Sequence, residues 1–261
     1  QYALKEANAK GHIISSVIEH HAVLHPLEVL QKEGFEVTLV PVSDMGIVNP
    51  EDVRKALRPD TILVSIMYAN NEIGTTQPIR EISQVIKEYR KEKLAIGNTS
   101  SHLPYFHTDA CQAVGALNIE VNTLGVDLLT LNGSKIYGPK GVGVLFYKQG
   151  VWLKPIIHGG GQEQGLRSGT ENVAAITGLA KALEIAHEEK EIENKRLIEL
   201  RDYFIKEVTE RIPKVVLNGH PTKRLPNNIN MSFLDVEGEA VLLYLDDEGI
   251  YVSTGSACTS T

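Results

Sequence analysis

VDLLTLNGSKIYGPKGVGVLFYK, residues 126–148, consists of two short apolar runs divided by a polar, glycine-rich stretch in which Lys135 directly follows the first run's small polar residues. Runs of this length, rich in leucine and valine and bounded by Gly, Asn and Pro, read as strands buried in a sheet. The same kind of run recurs upstream as HIISSVI, FEVTLVPV, TILVSIMY and YFHTDA, at residues 12–18, 35–42, 61–68 and 105–110. Between them lie the helical stretches HPLEVLQKEG, NPEDVRKALR and PIREISQVIKEYRKE, the second opened by Asn49 as a cap and Pro50 in the first turn. Strand and helix in alternation predict an α/β fold, a mostly parallel sheet flanked by helices. A long helical pattern follows from Thr170 to about Arg211, with Ile176, Leu179, Leu183 and Ile185 as its apolar positions. Beyond it PKVVLNGH, NNINMSFLDV and GIYVSTG read as strands around a helix in GEAVLLYLDDEG, the beginning of a smaller α+β domain. We therefore expect a large domain over 1–169, a connecting helical region over 170–212 and an incomplete small domain over 213–261.

The 261 residues are 42% hydrophobic and 23% charged, enough for a substantial core. Net charge is -7, and the densest charge run, HEEKEIENKR, mixes both signs, so neither nucleic acid nor an anionic membrane is an expected partner. No apolar stretch approaches the roughly 18 residues that a membrane-spanning helix needs. The start QYALKEANAKG has no signal-peptide layout, and a cytoplasmic location is expected. The chain reads as cut from a longer polypeptide at both ends.

Ligands of open α/β sheets gather beyond the carboxyl ends of the strands. There the sequence places EHH at 19–21, NNE at 70–72, HTDACQ at 107–112 and NGSK at 132–135. Taken singly, His20 reads as a satisfied core histidine, Asn71 as a turn former and Asp109 as a helix cap. Lys135 reads differently. Its glycine neighbours let backbone and ligand approach closely, desolvation is expected to disfavour its ammonium form, and a neutral amine attacks carbonyls to make Schiff bases. Asp109, 26 positions earlier, could pair with a protonated pyridine nitrogen, as pyridoxal 5'-phosphate (PLP) requires.

The ordered set EHHAV, NNEIGTTQPI, HTDACQAVG, GSKIYGPKGVG, GGGQEQGLRSGTEN and STGSACTS resembles the cysteine desulfurases of the NifS/IscS group, fold type I PLP-dependent transferases of the class V aminotransferase family. The resemblance spans about Gly11 to Thr261 and implies a seven-stranded type of sheet. It implies that Lys135 holds PLP covalently and then moves protons at the substrate carbon. Asp109 would pair with the pyridine nitrogen, Gln112 would hydrogen-bond the phenolic oxygen, and His20 would stack on the ring and act in acid-base steps. Asn71 would face cofactor and substrate, while His21 is a bystander. Thr170, in RSGT, would contact the PLP phosphate of a neighbouring subunit, which implies a homodimer. The role of Arg167 in that motif is left open. Asn132 and Ser134 stand where many relatives have serine and histidine beside the phosphate; both remain hydrogen-bond donors. The family's Gly-Ala-Thr phosphate loop is expected upstream of Gln1, and its substrate-carboxylate arginine downstream of Thr261.

Of the two cysteines, Cys258 lies among small polar residues, as a thiol on a mobile loop would, whereas Cys111 sits between Asp109 and Gln112 and reads as a small-residue filler. The implied reaction takes L-cysteine to L-alanine and leaves a persulfide on Cys258 for an iron-sulfur scaffold or another sulfur-acceptor protein. Two alternatives are another class V PLP enzyme, such as an aminotransferase or selenocysteine lyase, and an inactive dimerisation or scaffold-binding module.

Overall fold

The structure, a computed structural model, describes residues 11–95 and 102–255. Six strands form the large sheet: β1 (His12–Ser16), β2 (Glu36–Val40), β3 (Thr61–Ser65), β4 (Tyr105–Asp109), β5 (Leu128–Asn132) and β6 (Gly143–Tyr147). Their order is β2-β1-β3-β4-β5-β6, with parallel pairing up to β5 and antiparallel pairing of β6 on β5. Each of the six runs expected as a strand forms one. Among the described residues the sheet has six strands, not the seven that the resemblance implied.

The parallel strands are joined through α1 (His21–Lys32), α2 (Pro50–Ala56), α3 (Ile79–Ala95) and the short α4 (Val121–Leu124). Parallel pairing requires such crossovers, and helices on the faces make the strands apolar on both sides. All five residues of β1 are buried. Successive side chains of a strand point to opposite faces, and β1 accordingly splits its two isoleucines. Ile13 packs with Leu27 of α1 and Phe35. Ile14 joins Val64, Phe106 and Leu131 against Val53 of α2 and the α3 stripe Ile79, Ile82 and Ile86. That stripe follows the three-and-four spacing of an amphipathic helix, which is why α3 forms and how it docks. Helix α2 starts as its sequence dictates, the Asn49 side chain accepting from the Glu51 amide at 3.0 Å with Pro50 in the first turn.

From β5 to β6 there is no crossover. The chain turns through a 3-10 turn, Gly133–Ile136, and returns antiparallel. A side chain on Gly133 would place its Cβ 2.8 Å from the Pro139 carbonyl oxygen, so the tight return needs glycine there. The long helix α5 (Val173–Arg211) begins three residues later than Thr170 because Asn172 caps it, accepting from the Ala175 amide at 3.2 Å. Of its expected apolar positions Leu179 is buried, but Ile176 and Ile185 are exposed. Past α5, β7 (Val215–Leu217) pairs antiparallel with β8 (Met231–Phe233), and α6 (Gly238–Asp247) follows. GIYVSTG was expected as a strand, but residues 250–255 have no regular structure, and Ile250, Tyr251 and Val252 are exposed. β-propensity alone makes no strand where no neighbour pairs with it.

Phe106 is 1% exposed between the sheet and its helices. Phe106→Ala should cost about 3–5 kcal/mol in chemical denaturation. Leu94→Ala, at a residue 64% exposed on α3, should stay within about 0.5 kcal/mol of the wild type.

Candidate active site

The carboxyl ends of four strands carry the polar residues singled out above. His20 follows β1, Asn71 follows β3, Asp109 ends β4, and Asn132, Ser134 and Lys135 close β5. His20, Asn71, Asp109, Gln112, Asn132, Ser134 and Lys135 all line a single cavity of about 1130 Å³. Its far wall comes from the segment after α5, including Asn218, Asn230 and Phe233.

Local hydrogen bonds set the presentation of each group. His20 is the N-cap of α1, and its Nδ1 accepts from the Ala22 amide at 3.1 Å. A ring nitrogen that accepts carries no proton, so the neutral imidazole bears its hydrogen on Nε2. His21 lies exposed on α1, stacked on His25 with ring centres 4.7 Å apart, and does not line the cavity. Asn70, the buried partner of Asn71, donates to the Ile18 carbonyl at 3.0 Å and accepts from the amides of Glu72 and Ile73, both at 2.9 Å. It shapes the turn on which Asn71 stands. Asp109 caps no helix, since turns follow β4; its Oδ1 accepts from the Cys111 amide at 2.9 Å within that turn, and it faces the cavity. Asn132 Oδ1 accepts from the Ser134 hydroxyl at 3.0 Å and the Lys135 amide at 3.2 Å, which closes the 3-10 turn.

One expectation changes. Lys135 is exposed at the rim, so burial in this chain does not supply the desolvation expected for its amine. Thr170, expected at the phosphate of a neighbouring subunit, does not line the cavity of its own chain, and neither does Arg167, whose Nη1 donates to the Ser168 carbonyl at 2.8 Å within its own loop. Cys258 lies outside the described residues. Cys111 lines the cavity, and burial, reinforced by the Asp109 carboxylate, pushes its thiol far above the usual range.

Sequence reasoning missed three positioning groups. His107 is one residue removed from Asp109 on β4 and bridges the sheet beneath it, with Nδ1 2.8 Å from Ser65 Oγ on β3 and Nε2 2.8 Å from Thr130 Oγ1 on β5. Burial lowers its pKa against the opposing pull of Asp109. Glu19, next to His20, is buried behind the site. Both stand in quoted motifs, HTDACQ and EHH, but their role depends on neighbours brought by other strands. The third is the set Arg224, Asn228 and Asn230: Arg224 donates to the Ile73 carbonyl at 3.2 Å, and Asn228 and Asn230 donate to Glu72 O at 3.0 and 3.1 Å. Together they fasten the Asn71 turn to the segment after α5. At Gly74, φ +72°, any Cβ would lie 2.5 Å from Asn228 Oδ1, so the contact tolerates only glycine.

An amine, a carboxylate, an imidazole and a carboxamide converging on one cavity match the set that PLP uses, so these residues fit that cofactor. Among the described residues no cluster of three or more His, Cys, Asp or Glu could hold a metal ion, and no helix is long and apolar enough to cross a membrane.

Comparison with known proteins agrees. Residues 1–261 match the aminotransferase class-V family. The chain is 56% identical over 255 residues to a protein named cysteine desulfurase IscS from Dictyoglomus turgidum, covering 97% of this chain and 61% of that one. A solved NifS-like protein superposes with a TM-score of 0.87 at 38% identity, over 97% of this chain and 65% of the other. A structure of SspA in complex with cysteine gives 0.77 at 35% identity, over 98% of this chain and 67% of the other. The chain thus spans about three fifths of the length of the curated relatives it matches. Its mostly parallel sheet with flanking helices is the fold type I architecture of these proteins, and the chain belongs to the class-V aminotransferase family.

Proposed function

We propose that the chain is part of a PLP-dependent cysteine desulfurase that converts L-cysteine to L-alanine and leaves a persulfide on Cys258. The observation that carries this reading is the meeting of Lys135, Asp109, His20 and Gln112 around one cavity at the carboxyl edge of the sheet. The desulfurase names of relatives at 50–56% identity point to the same chemistry.

When bound, PLP supplies an electron sink for bonds at the substrate's Cα. Lys135 would hold the cofactor and carry protons at that carbon. Asp109 would pair with the pyridine nitrogen, Gln112 would donate to the phenolic oxygen, and Asn132 and Ser134 would lie beside the phosphate. His20 would stack on the ring with Nε2–H as its donor, since Nδ1 is engaged by Ala22. Asn71 faces cofactor and substrate. The substrate's C–S bond would break as an S–S bond forms to Cys258, the C–S electron pair staying with the substrate carbon, which takes up a proton to give alanine; a thiolate is the best soft nucleophile in the chain. Cys111 is the wrong thiol for this, because burial and Asp109 keep it protonated.

Thr170 reaches the phosphate bound in a second copy of the chain, making a homodimer the active unit. Trp152, Ile156 and Val173, exposed by 74%, 91% and 67% near this segment, support a subunit contact there. Residues 1–169 form the cofactor-binding part, 170–212 the connecting helix and 213–261 the start of the smaller domain. The persulfide passes to an iron-sulfur scaffold or another acceptor protein, in the cytoplasm.

In the intact enzyme, Lys135→Ala should abolish borohydride trapping of PLP; a labelled peptide carrying Lys140 in place of Lys135 would overturn the assignment. Asp109→Asn should retain some PLP but lose turnover by roughly 10- to 100-fold, the worth of a charge-assisted hydrogen bond.

Cys258→Ala should bind PLP and L-cysteine yet form no transferable persulfide, while Cys111→Ala still forms one, as mass spectrometry after one turnover would show. Alkylation at about pH 8, near an ordinary thiol pKa, should modify Cys111 far more slowly than a free thiol. Added sulfur on Cys111 would refute both statements.

A further inference from the structure

Glu19 is 5% exposed, directly precedes His20 and takes no part in the reaction outlined above. Its Oε1 accepts from the Ser16 hydroxyl at 2.6 Å and from the Met67 amide at 2.9 Å. Ser16 ends β1, and Met67 lies just past β3, so this one oxygen joins the exits of two neighbouring strands. A second tie runs parallel to it, from Asn70 Nδ2 to the Ile18 carbonyl at 3.0 Å. The turn that presents His20 is thereby locked to the segment that presents Asn71. Oε2 is buried and has no hydrogen-bond partner among the described residues. An ionised carboxylate with one unsolvated, unbonded oxygen is costly to bury, and a neutral acid much less so. The charged group that acts on it through space is Asp109, at the end of β4, whose charge disfavours ionisation of Glu19.

We propose that Glu19 is a positioning residue of the cofactor site that works as a neutral acid: it ties the His20 turn to the Met67–Asn71 segment without setting a second negative charge beside Asp109. This rests on the reading that Asp109 faces the pyridine nitrogen, where a lone carboxylate fixes the ring's protonation state.

The electrostatics agree with the geometry. Burial, with Asp109 adding in the same direction, raises the Glu19 carboxyl to about 7, against the opposing hydrogen bonds from Ser16 and Met67. A carboxyl whose pKa is higher folded than unfolded favours folding at low pH. That contribution is complete below the unfolded value of 4.5 and is lost as pH rises through about 7. Glu19→Gln keeps an oxygen to accept from Ser16 and Met67 but cannot ionise, so it should mimic the acid form at every pH.

The test uses the intact protein with and without PLP. Without cofactor, the thermal midpoint of Glu19→Gln minus that of the wild type should grow as pH rises from about 5 to 8. With cofactor near pH 6.5, below the wild-type transition, Glu19→Gln should bind PLP within about twofold of the wild type. Glu19→Ala and Glu19→Asp, which lose the reach across the two exits, should bind at least about tenfold more weakly. A midpoint difference that does not change with pH would overturn the neutral acid. PLP binding by Glu19→Gln as weak as by Glu19→Asp, or wild-type binding by Glu19→Asp, would overturn the tie. Failure of the wild type itself to bind PLP would instead refute the cofactor reading and this role with it, while the cofactor-free series still reports the protonation of Glu19.

Discussion

Parallel pairing of β1 to β5 is the constraint from which the rest of the molecule follows. A parallel strand leaves its sheet at the same edge as its neighbour, and the return must cross a face as helix or loop. Each exit therefore delivers a short polar stretch to one rim. The sequence supplies EHH, NNE, DACQ and NGSK there, and the rim becomes a cavity lined by His20, Asn71, Asp109, Gln112 and Lys135. The break in the pattern matters equally. β6 returns antiparallel without a helix, so Lys135 sits on a tight 3-10 turn beside Asn132 in place of a helical crossover.

The sheet beneath this rim handles buried polarity by hydrogen bonding and neutrality. His12 bridges Thr61 and Thr38 at 2.9 and 2.7 Å, and His107 bridges Ser65 and Thr130. Burial lowers the pKa of both imidazoles and raises that of the Glu19 carboxyl. The directions share one cause, since leaving water disfavours whichever form is charged. Asp109, half-buried at the edge of the sheet, lines the cavity.

The cavity is not made by the large sheet alone. Arg224, Leu225, Asn228 and Asn230 engage the carbonyls of Glu72, Ile73 and Gly74. The turn bearing Asn71 is thus held from two sides, by Asn70 toward β1 and by the segment after α5.

The sequence by itself determined the strand and helix order, because the apolar runs and the capped amphipathic stretches are local patterns that tertiary contacts had only to ratify. It also determined the identities at the rim, since fold rules place strand ends there whatever the details of packing. What it could not determine were properties set by residues far apart in the chain. The exposure of Lys135, the raised pKa of the Glu19 carboxyl and the bridging by His107 each depend on which neighbours arrive from other strands. GIYVSTG has strand propensity but no pairing partner, and a strand is a property of a pair. Thr170 and Arg167 carry a motif, yet they stand away from the cavity of their own chain. Propensity is written residue by residue; solvation, charge state and pairing exist only once the chain has brought distant residues together.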